Sequence, residues 1–197
     1  MFLSMKKQLS EMTLEELWEL FPIVLKEHNP QYKNWYEDEK QNLLNIVEPE
    51  TIIRINHIGS SAVEGLISKP TIDILLEIDG SCNVTKLINT LTEYGWGLMQ
   101  KESDPMKLKF CKGYTPEGFA EKVYHLHVAY IGDWSELYFR DYLVAYPNVA
   151  AKYGKIKISL LKKFEHDRDG YTKKKSDFIL KYSNIAKQEY CGRYKPK

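Results

Sequence analysis

Residues 71–78, TIDILLEI, form an apolar run that acids interrupt on one side only. The run follows a Lys-Pro pair and reads as a largely buried strand. Strand side chains alternate between faces, so Ile72, Ile74, Leu76 and Ile78 share one side. Asp73, Leu75 and Glu77 share the other. The first face is pure core. The second carries a carboxylate near the strand's start, which must be solvated, paired or bound to a cation, because burying it alone is prohibitive. Magnesium suits such a place, since it takes one or two protein carboxylates and shares substrate phosphates.

The residues just upstream strengthen that reading. Gly59 lets the backbone approach a ligand closely, and Ser60 and Ser61 offer hydroxyls beside backbone N–H groups, which at a helix start favour phosphate. Lys69 adds a point charge. A Gly-Ser turn alone is common; Gly59-Ser60 followed, after twelve intervening residues, by an acid within a strand is a stronger signal.

A second strand, residues 122–130 (KVYHLHVAY), is rich in aromatic and β-branched residues. His125 and His127 alternate with Tyr124, Leu126 and Val128 and so share a face. Together with Asp73 they would give one metal mixed nitrogen and oxygen ligation. They equally suit contact with phosphates, acid–base work, or structural hydrogen bonds at a sheet edge. Arg140 offers a planar fork to an anion, or a salt bridge to Asp141 or Glu136. His57 reads as a strand-end hydrogen-bonding residue. Lys173, Lys174 and Lys175 read as a solvated face, and Tyr171 either closes a pocket or packs the last helix.

Around these strands the pattern is mixed. Thr13 to Glu16 has the form of a capping box, and Pro22 limits the helix it opens. Asn29-Pro30 starts a helix with Trp35, Leu43, Leu44 and Val47 available for burial. Residues 51–57 form a strand. A helix runs from Asn83 to Gly95, followed by one or two weaker strands within 96–112. Asp133 with Glu136 caps a helix that stops before Pro147. Pro147 starts another, with Val149, Tyr153, Ile156, Leu160 and Phe164 at helical spacing, and a last helix covers 171–187. The expected fold is α+β, a small mixed sheet with packed helices and a helical C-terminal extension. Its divisions are an N-terminal helical extension at 1–28, a domain at 29–187 and a flexible tail at 188–197.

Composition narrows the class. Hydrophobic residues at 43% and charged residues at 28% describe an ordinary globular chain. No apolar run approaches the roughly 18–20 residues of a membrane span. The start, MFLSMKKQLSEM, is too short in apolar residues for a secretory signal, so a cytoplasmic location is expected. Three cysteines without CxxC spacing argue against a disulfide framework and a cysteine-held zinc. Residues 147–197 carry 14 Lys+Arg against 5 Asp+Glu, the remainder 14 against 22. That asymmetry reads first as a lysine-rich solvated helix face, and nucleic-acid binding is the weaker reading.

Residues 58–60 (IGS) and 73–76 (DILL) resemble the signature of the nucleotidyltransferase superfamily, shared by polymerase-beta-like enzymes. More closely, the GrpB family is resembled by HIGSSAVEGLISKPTIDI (57–74), YHLHV (124–128), FRDYLVAYPNVAAKY (139–153), DRDGYTKKK (167–175) and NPQYKNWYEDEKQNL (29–43). The resemblance spans roughly residues 29–180. It implies the nucleotidyltransferase-like α+β sheet, and a nucleoside triphosphate bound with Mg²⁺ or Mn²⁺. It also implies nucleotidyl transfer to a small-molecule or macromolecular acceptor by metal-assisted displacement at phosphorus. Gly59, Ser60 and Ser61 would hold phosphates, Asp73 the metal, and Lys69 and Arg140 would neutralise charge. One position departs from the pattern. Where the superfamily has a second acid two residues after the first, this chain has Leu75. Glu77 is on the same face but about 7 Å further along the strand, and His125 and His127 stand where the third acid is sought. Two further readings follow: a nucleotide- or anion-binding module that has lost catalysis, and a metal-dependent hydrolase-like site built on the two histidines.

Overall fold

The structure is a computed structural model and describes residues 7–196, so the first six residues of the expected N-terminal extension, and Lys197, lie outside it. Five strands, β1 (Ile52–Ile58), β2 (Ile72–Ile78), β3 (Gly97–Ser103), β4 (Met106–Thr115) and β5 (Gly118–Tyr130), form one sheet in the order β1-β2-β5-β4-β3. β5 runs parallel to β2, and the other neighbours are antiparallel. The helices are α1 (Leu14–Leu20), α2 (Tyr32–Ile46), α3 (Val84–Glu93), α4 (Ser135–Ala145), α5 (Pro147–Phe164) and α6 (Arg168–Glu189). This is an α+β fold, as the alternation of strand and helix patterns requires.

The apolar face of β2 sets the layering. Ile72, Ile74, Leu76 and Ile78 are fully buried, and with Leu126 and Val128 they pack against Tyr36 and Leu43 of α2 and Leu87 and Leu91 of α3. Each such side chain contributes about 1.5–3 kcal/mol by leaving water, so this layer holds the sheet. On the opposite face Leu75 packs with Ile58 and with Leu137 of α4. The last three helices build a second core with Val63 and Leu66, from Tyr138, Phe139, Leu143, Val149, Tyr153 and Ala186. Between that helical layer and the polar half of the sheet face a cleft remains.

Local signals account for most boundaries. Thr13 Oγ1 accepts from the Glu16 N–H and the Glu16 carboxylate accepts from the Thr13 N–H, completing the capping box. Asn29 forms a turn by accepting from the Gln31 N–H, and α2 begins two residues after Pro30 rather than on it. Asp133 and Glu136 do not cap α4: the cap residue is Trp134, and the Asp133 carboxylate instead accepts from the Tyr138 hydroxyl. Asp167 caps α6 by accepting from the Gly170 N–H, three residues earlier than the helical pattern suggested.

Segments near both ends of the described residues are bonded into the body. Ile23 donates to the Glu165 carbonyl, and Lys26 pairs with Ser68. Tyr194, expected in a flexible tail, donates through its hydroxyl to Asp141 and accepts from Arg140, and its carbonyl accepts from Arg54. No helix among the described residues is long and apolar enough to cross a membrane.

Candidate ligand cleft

Strand register assembles the site. Pairing of β2 with β5 puts Asp73 opposite His125 and Leu75 opposite His127. Pairing with β1 puts Ile58 opposite Asp73, so the chain leaves the sheet at Gly59 directly over the carboxylate. Gly59 has a φ of +72°, and a Cβ there would collide with the Asp73 carboxylate. Both the backbone conformation and the close approach require glycine.

Asp73 is held by imidazoles. His125 Nδ1 lies 3.2 Å from Asp73 Oδ1, and His127 Nε2 lies 3.8 Å from the same oxygen. The other nitrogen of His125 meets the Tyr114 hydroxyl at 2.8 Å, and Arg168 donates to that hydroxyl at 2.8 Å. This chain of partners assigns the tautomer: Nδ1–H donates to Asp73 and Nε2 accepts from Tyr114. Burial opposes ionisation of Asp73, but the nearby imidazoles of His125 and His127 outweigh it and hold the carboxyl well below its usual range. Burial also pushes the His125 pKa down; Asp73 opposes this, while the charges of Lys69 and Arg168 add to it.

Three lysines complete the surroundings. Lys69, Lys157 on α5 and Lys175 on α6 line a cavity of about 320 Å³ together with Asp73, His127 and the Gly59–Ser61 turn. Lys157 is buried and donates to the Ile67 carbonyl. Burial and the neighbouring charges of Lys175 and Arg168 bring Lys69 down to about 7. Burial, then Lys175, brings Lys157 down to about 7. Lys175 is lowered as well, chiefly by burial. Three lysines therefore face Asp73, whose Oδ1 accepts one hydrogen bond from His125. That excess of like charge is the condition under which a polyanionic ligand lowers the energy most.

Gly59, Ser60, Ser61, Lys69, Asp73 and His127 thus line one cavity, although 68 positions separate Gly59 from His127 in the chain. Three other expected residues are used differently. Glu77 is fully buried and both its oxygens bond to the fork of Arg54, at 2.8 and 2.6 Å, leaving it no part in a metal site. Arg140 spends its donors on Asp141, the His57 carbonyl and Tyr194, outside the cavity lining. His125 has both ring nitrogens engaged and no lone pair free for a metal. Ser61 lines the cavity, but its hydroxyl meets His57 Nε2 at 3.1 Å. His57 is therefore the hydrogen-bonding strand-end residue expected of it.

Lys175, expected on a solvated face, turns into the cleft. Tyr171 both packs and lines the cavity: its ring is buried, and burial pushes its hydroxyl up to about 12. Lys157, Tyr114 and Arg168 had no place in the sequence reading. A signal for α6 was present, since Tyr171, Lys175, Ile179 and Ser183 recur every four residues and mark one helical face. None existed for Tyr114, whose role depends on the register of β4 with β5.

A divalent metal of the kind expected fits this donor set poorly. Leu75 occupies the second-acid position and is 3% exposed. Glu77 is sealed, and among the described residues no group of three His, Cys, Asp or Glu is placed to hold a metal ion. Hard cations such as magnesium need several oxygen donors, and the two carboxylates of the lining, Asp73 and Glu136, form no such group.

The fold and cleft define a cation-lined α+β domain with one acid at the edge of its central strand pair. The model of the GrpB family, described as GrpB protein, matches residues 22–184, and the chain belongs to that family. Glutamate-rich protein GrpB of Alkalihalophilus pseudofirmus is 34% identical over 161 residues, covering 80% of this chain and 91% of that protein. UPF0157 protein YqkA of Bacillus subtilis is 28% identical over 84% of this chain, which spans 48% of that longer protein. The crystal structure of conserved protein GrpB from Enterococcus faecalis superposes with a TM-score of 0.74 at 27% identity, covering 85% of this chain and 99% of that one. The Cid1 poly(U) polymerase superposes at a TM-score of 0.44 and 12% identity over 73% of this chain and 43% of that one, a likeness too slight to bear on function.

Proposed function

We propose that the cleft binds a nucleoside triphosphate and that the protein works as a nucleotide-binding module. The phosphates lie among Lys69, Lys157 and Lys175, beneath the Gly59–Ser60 turn. The observation that carries this reading is the convergence of three lysines on a cavity whose one central acid is already bonded to histidine. Lysine suits the role as a compact point charge that phosphate can re-protonate when burial has lowered its pKa. Leu75 at the second-acid position favours binding over transfer to an acceptor, because two-metal displacement needs ligands for ions about 3.5–4 Å apart. On this reading the lysines, rather than a metal, match the phosphate charge.

Titration calorimetry with ATP tests it. Binding is expected to persist when a chelator removes all divalent metal. It is expected to weaken at least about tenfold in Lys157→Met, as loss of a charge-assisted bond implies. Lys175→Gln, at a position less buried than Lys157, gives a second variant. Binding that vanishes with chelator, or that neither substitution alters, sinks the proposal.

A further inference from the structure

The cavity has a second end that the phosphate reading leaves unused. Tyr171, Lys175, Ile179 and Ser183 line the cavity along its length from one face of α6. Twelve residues at 1.5 Å each extend that face over about 18 Å. Its direction is set by contacts at both ends. Arg168, at the start of α6, reaches the Tyr114 and His125 pair beside Asp73. Lys187, one turn past Ser183, donates to the Asp133 carbonyl, three residues before Glu136. The cleft therefore runs from the lysines and Asp73 at one end to Ser183, Ser135 and Glu136 at the other.

That far end holds two polar groups that meet no partner among the described residues. Ser183 is 2% exposed and its hydroxyl has no hydrogen-bond partner. A buried hydroxyl left unpaired costs about 1–3 kcal/mol, so its persistence points to a partner supplied from outside the chain. The Glu136 carboxylate also lines the cavity, stands exposed in the first turn of α4, and engages no side chain or backbone group among the described residues. A carboxylate offers only acceptors, and serine adds one donor. A group recognised by this pair carries N–H donors beside an acceptor.

Resting on the nucleotide reading, we infer that Glu136 and Ser183 recognise the base and select one with an exocyclic amino group over uracil. Adenine, cytosine and guanine each present such N–H donors to a carboxylate. Uracil has a single ring N–H on that edge, flanked by two carbonyl oxygens that repel the carboxylate. Phe139 and Ile179, also in the lining, supply the apolar wall on which a flat ring rests.

Calorimetric titration of ATP, UTP and inorganic triphosphate against the wild type, Glu136→Gln and Ser183→Ala separates the two ends. ATP is expected to bind at least about tenfold more tightly than UTP, the ratio that one hydrogen bond to a charged group produces. Glu136→Gln should bring the two nucleotides within about twofold of each other, since the amide offers both donor and acceptor. Ser183→Ala should weaken ATP while leaving inorganic triphosphate unchanged. Equal binding of ATP and UTP by the wild type, with triphosphate still bound, overturns the base reading and leaves the phosphate site standing. Failure of triphosphate and both nucleotides to bind overturns the site as a whole.

Discussion

Asp73 and Glu77 project from the same side of β2, four residues apart, yet they meet different partners. Register puts Arg54 opposite Glu77, where the guanidinium fork grips both carboxylate oxygens and the Gly132 N–H adds a third bond. The charge is cancelled where it stands, and no surface of Glu77 remains exposed. Asp73 meets Ile58 on one side and His125 on the other. A neutral imidazole satisfies hydrogen bonding without cancelling charge, so the field of Asp73 is left to the lysines across the cleft. Exposure follows the same division: the Glu77 side chain is 0% exposed and that of Asp73 is 26% exposed. The decisive property is whether the acid's nearest partner is a permanent cation in bidentate contact or a neutral ring.

The largest expected effect falls on the sealed acid. Arg54→Met leaves the Glu77 charge buried without a partner and should cost about 3–5 kcal/mol in urea unfolding. Arg54→Met combined with Glu77→Leu should recover most of that loss. A single-variant loss below about 1 kcal/mol would place Glu77 with Asp73 and dissolve the contrast. Asp73→Asn should have a smaller effect on stability, about 1–3 kcal/mol, because its hydrogen bonds weaken while its shape is kept. With chelator present the same variant should bind ATP more tightly, since it removes the one anion facing the phosphates. Weaker binding would make Asp73 a direct contributor to holding the ligand.

The pH dependence supplies a further test. Lys69 and Lys157 titrate near 7 in the folded protein, against about 10.4 in an unfolded chain. Between those values the unfolded state binds more protons, so these lysines make stability rise with pH above about 7. Affinity for ATP should move the other way, falling as the lysines lose their protons. Urea midpoints at pH 7 and 8.5 should show a rise in the wild type that shrinks in Lys157→Met. Equal slopes in the two proteins would show that Lys157 carries no such strain of charge.

Much of this was determined by the sequence alone. The alternation in residues 72–78 gave one face wholly to isoleucine and leucine, and that period-two pattern alone specifies a strand with a buried side. Thr13 and Pro147 marked helix starts through bonds and backbone limits that reach no further than one turn. The spacing from Gly59 to Asp73 brought the turn over the carboxylate because β1 and β2 are antiparallel neighbours in the chain. Tertiary structure decided the rest. Whether Arg54 or a histidine faces a given acid depends on which strands become neighbours and in what register. Lys69, Lys157 and Lys175 arrive from a loop and two helices, and Arg140 is drawn away by Tyr194 from the chain's far end. Charge interactions depend on distance and burial, and both are fixed by packing between elements far apart in sequence. Local periodicity carries no record of those distances, so the cationic lining of the cleft emerged only when the helical layer closed over the sheet.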